Sequence, residues 1–153
     1  MLYILIILII FLIDDKIKHY IEENKEMHKK EVILKNTIIV ERYHNKGAML
    51  SFMEKNSRMV KYISATLLGI IFLVFALILP KKNNHILKLS LSLVLGGALS
   101  NVYDRIKKGY VVDYFSFNFK GLKKIIFNLS DICIIIGSVI IAILSFLKDG
   151  LNK

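Results

Sequence analysis

Between Gly96 and Asp131, Asn101, Asp104, Arg105, Asp113, Asn128 and Asp131 fall at or near the ends of apolar runs. Polar groups placed there cost free energy, so they are candidates for a functional site. Asp113 follows one predicted helix and Asp131 lies in the first turns of the next, so folding can bring the two together. Two carboxylates in a shared, partly desolvated site cannot both ionise cheaply; one pKa rises and the pair holds one proton. One can then act as base and the other as acid. Such a pair can deprotonate water for attack on a peptide carbonyl and protonate the departing amine, with neither a metal nor a nucleophilic side chain.

Asp104 reads differently. With Arg105 beside it and Asn101 on the same helix face, it suggests a structural or substrate-positioning pair, and Arg105 could hydrogen-bond the peptide carbonyls of a substrate. Ser130 and Cys133 are the other candidate nucleophiles. Neither has a His partner suggested nearby, and Ser130 is expected to bond within its own helix. The same polar groups would serve a proton relay in a transporter, or interhelical hydrogen bonds in a structural subunit. Spacing leaves all three readings open.

The elements that must position these residues are those of a membrane protein. The chain has 153 residues, 55% of them hydrophobic, with one proline and no tryptophan, and its mean hydropathy is +0.55. A single integral membrane domain over residues 1–153 is expected, with no room for a soluble module. The net charge of +10 would suggest nucleic acid for a soluble fold. Here anionic lipid headgroups are the expected counter-charge and nucleic acid is not an expected partner. The single Cys133 excludes an intrachain disulfide, and His19, His28, His44 and His85 lack ligand spacing, so neither a metal nor a cofactor is expected.

Leu2 to Ile13 is an unbroken run of 12 apolar residues. No basic residue precedes it and Asp14-Asp15-Lys16 follows it, which does not fit a cleaved signal peptide. Twelve residues cover only about half of a roughly 30 Å hydrocarbon core, so the helix is expected to continue through Asp14, Lys18 and Ile21. Asp14 and Lys18 are then an i, i+4 pair that can neutralise each other and point into a bundle, or else mark a charged helix end at the interface. Val32 to Tyr43 gathers β-branched residues around a candidate Lys35-Asn36 turn and predicts a short strand or hairpin. Asn45-Lys46-Gly47-Ala48-Met49-Leu50-Ser51 follows, a turn whose glycine permits close backbone approach.

The second span is predicted over Ile63 to Leu79, ending at Pro80, and the third over about Ile86 to Asp104. On the third, Gly97, Asn101, Asp104 and Arg105 share a face, and Gly96-Gly97 allows another helix to pack closely. Tyr114 to Phe119 alternates Phe115, Phe117 and Phe119 with Ser116 and Asn118, which predicts an extended segment with its aromatics in the headgroup layer. The fourth span, about Ile125 to Leu147, carries Asn128 and Asp131 one turn apart. Four spans put both termini on one side and gather every candidate polar group at the other. Lysine and arginine are denser in 29–58 and 105–124 than in the opposite turn and tails. The positive-inside bias, taken literally, would therefore put the site in the cytoplasm.

Five motifs run in order along the chain: Asp14-Asp15-Lys16-Ile17-Lys18, Asn45-Lys46-Gly47-Ala48-Met49, Gly96-Gly97-Ala98-Leu99-Ser100-Asn101 with Asp104-Arg105, Val111-Val112-Asp113-Tyr114, and Phe127-Asn128-Leu129-Ser130-Asp131. In these motifs, in length and in hydropathy the chain resembles the lipoprotein (type II) signal peptidases of bacteria over nearly its whole length. The resemblance implies an intramembrane aspartic peptidase that removes the signal peptide of diacylglyceryl-modified prolipoproteins by cutting before the lipidated cysteine. It implies an all-α integral membrane fold of four transmembrane helices with a small extracytoplasmic β-cradle and loop. It makes Asp113 and Asp131 the catalytic dyad, and Asp14, Lys18, Asn45, Gly47, Gly97, Asn101, Asp104, Arg105 and Asn128 the residues that shape or support the site, with Arg105 and Asn45 touching the substrate backbone. A monomer in the bacterial cytoplasmic membrane is expected, with termini in the cytoplasm and membrane lipids as neighbours. The chain departs from the usual pattern at Ile17, Met49-Leu50, Ser100 and Ser130, none of which removes a carboxylate or the arginine.

Overall fold

The computed structural model describes residues 1–47 and 54–151. Along them run α1 (Leu2–Asn24), β1 (Glu31–Ile33), β2 (Ile38–Asn45), α2 (Ser57–Ile78), α3 (His85–Lys107), β3 (Val111–Phe117) and α4 (Leu129–Leu151). The helices have 22 or 23 residues each, about 33–35 Å at the usual rise and enough for a bilayer core. By length and composition α2, α3 and α4 over Leu129–Leu147 can cross a membrane. The first helix forms as expected, but Asp14, Asp15, Lys16 and Lys18 set its composition apart from those three. It buries Ile10, Asp14, Lys18 and Ile21 on one stripe, while Leu5, Leu8, Ile9, Leu12 and Ile13 are exposed.

The third helix is the hub, with α1, α2 and α4 all packed on it. Its glycines set how close the neighbours come. Gly96 lies against Ile10 of α1 and Gly97 against the Ser130 carbonyl of α4, while Gly137 of α4 lies against the Ser90 carbonyl of α3. Gly97 thus does what its small-residue motif predicts, and Gly137 adds a second close approach in the same α3–α4 interface. A Cβ at Gly97 would press into a backbone oxygen next to Asp131, so the helices must part. Gly97→Ala is expected to cost about 1–3 kcal/mol, measured as a fall in the unfolding midpoint in detergent.

Of the strand or hairpin expected here, the hairpin forms. Leu34, Lys35 and Asn36 all have positive φ at its turn, and β1 pairs antiparallel with β2. The central strand, β2, pairs antiparallel with β3, placing Asn45 opposite Val111 and Tyr43 opposite Asp113 across a bulge that follows Val40. Three sequence expectations change here. The extended segment starts at Val111, not Tyr114, so Asp113 sits within a strand. Phe115 and Phe117 turn to pack on each other and on Phe127, at ring centroids 5.7–6.1 Å apart, and only Phe119 of the three stands exposed. Last, α4 begins at Leu129 rather than Ile125, because Phe127 pairs with Phe115 along the free edge of β3. Ala48-Met49-Leu50-Ser51 lies outside the described residues.

Candidate active site

Alternation along β3 sends Val112 and Tyr114 into a cluster with Ile21 of α1 and leaves Val111 and Asp113 lining a cavity of about 160 Å³. Asn45, Asn101, Arg105, Asp131, Ile134 and Ile135 line the same cavity, together with the Ile125–Phe127 segment. The predicted dyad is therefore brought to one space from two elements. Both carboxylates are held by amide donors. Asn128 Nδ2 donates to Asp113 Oδ1 at 2.8 Å and Asn45 Nδ2 to Asp113 Oδ2 at 2.9 Å. Asn101 Nδ2 donates to Asp131 Oδ1 at 2.8 Å.

Asn128 precedes α4 rather than lying within the start of the helix as expected, and there it caps the helix. Its side-chain oxygen accepts the Asp131 N–H at 2.8 Å, while Asp131 Oδ2 accepts the Asn128 N–H at 3.2 Å. This is the reciprocal geometry of a capping box, with Asp131 at the third helical position. The orphan donors of the helix start orient one aspartate, and the amide left over reaches the other.

Burial, and then the nearby Asp131 charge, raise the Asp113 pKa to about 7, so this carboxyl keeps a proton far above the ordinary carboxylate range.

Below the dyad Lys18 is buried with its ammonium 2.7 Å from Asp14 Oδ2 and 3.0 Å from Asp104 Oδ2. It also donates to Ser100 Oγ and Asn101 Oδ1, both at 3.0 Å. The predicted Asp14/Lys18 pair thus points into the bundle. Asp104 differs from expectation: its charged partners are Lys18 and, at 3.1 Å, Lys108, and not Arg105. Adjacent residues of a helix point about 100° apart, so Asp104 turns to α1 while Arg105 turns to the cavity. There Arg105 donates to the Gly47 carbonyl at 3.0 Å and the Asn101 carbonyl at 3.3 Å. Its Nε is buried without an acceptor among the described residues. Gly47 donates its own N–H to Asn45 Oδ1 at 3.0 Å, so the two residues close a turn beside the dyad.

Three hydroxyl groups gather on Asp14 in a way that their spacing did not announce. Ser130 Oγ bonds Asp14 Oδ2 rather than a group of its own helix, at 2.5 Å, and Ser100 Oγ bonds the same oxygen at 2.6 Å. Tyr114 donates to Asp14 Oδ1 at 3.1 Å and accepts the Leu129 N–H at 2.8 Å. Burial and the Asp14 charge push this phenol up, which keeps it a donor. Asp14 therefore ties α1 to α3, α4 and β3 at once. The available signal was chemical: a hydroxyl in an apolar helix must find a partner.

The Signal peptidase (SPase) II family model matches residues 6–147. The chain is 31% identical over 148 residues to the lipoprotein signal peptidase of Clostridium tetani, covering 96% of this chain and 94% of that protein. It is 35% identical over 118 residues to that of Clostridium acetobutylicum, covering 76% and 75%. Two solved structures described as bacterial membrane enzymes, determined by the in meso method at 2.3 and 1.9 Å, superpose with TM-scores of 0.83 and 0.78. They are 25% and 26% identical, and the matches cover 99% and 96% of this chain against 90% and 93% of theirs. A family match over most of the chain, relatives of the same length and a multi-pass fold with apolar helices agree: the chain belongs to the signal peptidase II family, the lipoprotein signal peptidases, and is a membrane peptidase.

Proposed function

We propose that this peptidase is of the aspartic type and cuts diacylglyceryl-modified prolipoproteins on the amino side of the lipidated cysteine, with Asp113 and Asp131 activating water. The observation that carries the reading is that both carboxylates line one cavity and share Asn128 as a donor, through its side chain to Asp113 and its backbone to Asp131. In the working form Asp113 holds the proton and Asp131 is ionised. Asp131 takes a proton from water as its oxygen attacks the scissile carbonyl, and Asp113 protonates the carbonyl oxygen. Collapse of the tetrahedral adduct breaks the C–N bond as the amine takes up the proton held by Asp131, and the hydroxyl proton returns to Asp113. Arg105, whose Nε has no acceptor among the described residues, donates to a substrate carbonyl. Asn45 flanks the same strand of substrate.

The whole chain, 1–153, acts as one domain and as a monomer. Its first helix also crosses the cytoplasmic membrane, because Asp14 and Lys18, the charges that face the other helices, are neutralised inside the bundle. Its termini are cytoplasmic and the site lies near the extracytoplasmic face, with lipid against the exposed apolar helix faces. The basic residues around the site run against the positive-inside bias, which is a tendency of loops rather than a rule for a cradle that holds a substrate. A proton-coupled transporter using the same carboxylates is the disfavoured alternative, given the peptidase family.

Purified chain in liposomes should cleave a diacylglyceryl-modified prolipoprotein before the modified cysteine, and should do so in the presence of a chelator. Loss of activity on chelation would end the metal-free dyad mechanism, and cleavage elsewhere would end the assigned bond.

The pH dependence follows from Asp113. With a folded value of about 7, its proton is present below that pH and lost above it, so kcat/KM should fall on the alkaline side as pH rises through about 7. The raised value also means that the folded state binds this proton more tightly than the unfolded chain. The resulting stability is full below the ordinary carboxylate pKa and is lost as pH rises through about 7. A pH–rate profile that stays flat across neutrality would remove Asp113 as holder of the working proton.

A further inference from the structure

The β1–β2 turn and the loop before α4 are pinned together away from the dyad. Asn118 Nδ2 donates to both the carbonyl and the side-chain oxygen of Asn36 at 2.7 Å, and the Asn118 N–H reaches the Thr37 carbonyl at 2.8 Å. The loop is folded on itself, with Leu122 and Lys123 both donating to the Phe119 carbonyl and Ile125 to that of Leu122. The joint surface displays two kinds of side chain. Val32, Ile33, Leu34, Phe119 and Leu122 are 40–66% exposed. Lys35, Lys120, Lys123 and Lys124 stand exposed among them. No ion pair among the described residues uses these lysines, and neither 32–40 nor 114–128 contains an acidic residue.

We infer that this paired turn is a docking surface for the bilayer itself: its apolar side chains enter the headgroup boundary and its four lysines bind anionic phospholipid. Charge complementarity and position select that occupant. The patch is purely cationic, and anionic lipid supplies a continuous sheet of the opposite charge. Lys124 stands five residues before the start of α4, so with α4 across the membrane, as proposed above, the patch is tethered at headgroup height. Apolar groups flanked by lysines suit that layer, where long cationic side chains keep their heads in water. The β-sheet carrying Asp113 and Asn45 would then be held against the membrane at its far end by lipid charge, without involving the dyad.

The chain has no tryptophan, so Leu34→Trp and Phe119→Trp each introduce a single indole, excited selectively at the red edge where tyrosine does not absorb. Full-length variants would be reconstituted in phosphatidylcholine vesicles with and without phosphatidylglycerol. Emission would be quenched with lipids carrying a nitroxide near the headgroup, or with aqueous iodide. The expected result at both positions is lipid quenching several-fold stronger with phosphatidylglycerol present. Changing Lys35, Lys120, Lys123 and Lys124 together to Gln should erase that difference. Full iodide access without lipid quenching, in either membrane, would overturn the docking surface and leave the patch to a water-soluble partner. Equal lipid quenching in both membranes, unchanged by the lysine variant, would overturn the role of charge. Neither outcome bears on peptide cleavage, so this inference can fail while the peptidase reading stands.

Discussion

Asp113→Asn and Asp131→Asn are each expected to lower turnover by about 10²–10⁴-fold, the span that one positioned acid or base contributes. The folded state should survive both. An Asn at 131 can keep its oxygen on the Asn128 N–H and so preserve the capping box. Its amide would then face Asn101 Nδ2, and Asn101 cannot turn over to accept it because its own oxygen already accepts from Lys18 and Asn128. The cost is a buried donor left without its acceptor, about 1–3 kcal/mol. At 113 the same substitution sets one amide against Asn45 or Asn128 while removing a carboxyl whose charge is already disfavoured. Cleavage of a diacylglyceryl-modified prolipoprotein, followed beside the unfolding midpoint of each variant, separates loss of chemistry from loss of fold. Near wild-type cleavage by either variant would remove that residue from the dyad.

Lys18→Met should be the most destabilising substitution among the supporting residues, by about 3–5 kcal/mol, because it leaves buried charges without their partner. Asp14 would keep only hydroxyl donors, from Ser100, Ser130 and Tyr114, and Asp104 would keep Lys108 as its cation. The effect should also reach the chemistry, since Lys18 holds the Asn101 oxygen and through it aims the amide that binds Asp131. Pairing the change with Asp14→Asn should restore part of the stability, because removing both members of an ion pair costs less than removing one. Denaturant unfolding in detergent would measure both variants. If Lys18→Met proved as stable as the parent, the buried network would not hold α1 against α3.

Much of the site was legible where a chemical requirement operates at short range. Asp14 and Lys18 are four apart, which puts them on one helical face whatever else the helix touches. Asn128 and Asp131 are three apart, the spacing of a capping box, although reading the helix from Ile125 hid the cap inside a predicted span. The missing information was pairing. Nothing within residues 111–131 says that Phe127 will lie along β3 and delay the helix to Leu129. Hydropathy cannot reveal that edge, because a buried strand and the start of a buried helix are equally apolar.

Residue type and local spacing alone determined the membrane class, the helices, the hairpin and the list of polar residues with reason to meet, because hydropathy, turn chemistry and i, i+4 geometry act within a few residues. Tertiary structure alone decided which of them meet. Asp14 gathers donors from Ser100, Tyr114 and Ser130, lying 86, 100 and 116 residues away, and Asp104 takes Lys18 in place of its neighbour Arg105. Those choices depend on how far each helix rotates about its axis and how closely Gly96, Gly97 and Gly137 let the backbones approach. Both quantities are set by packing the whole bundle at once.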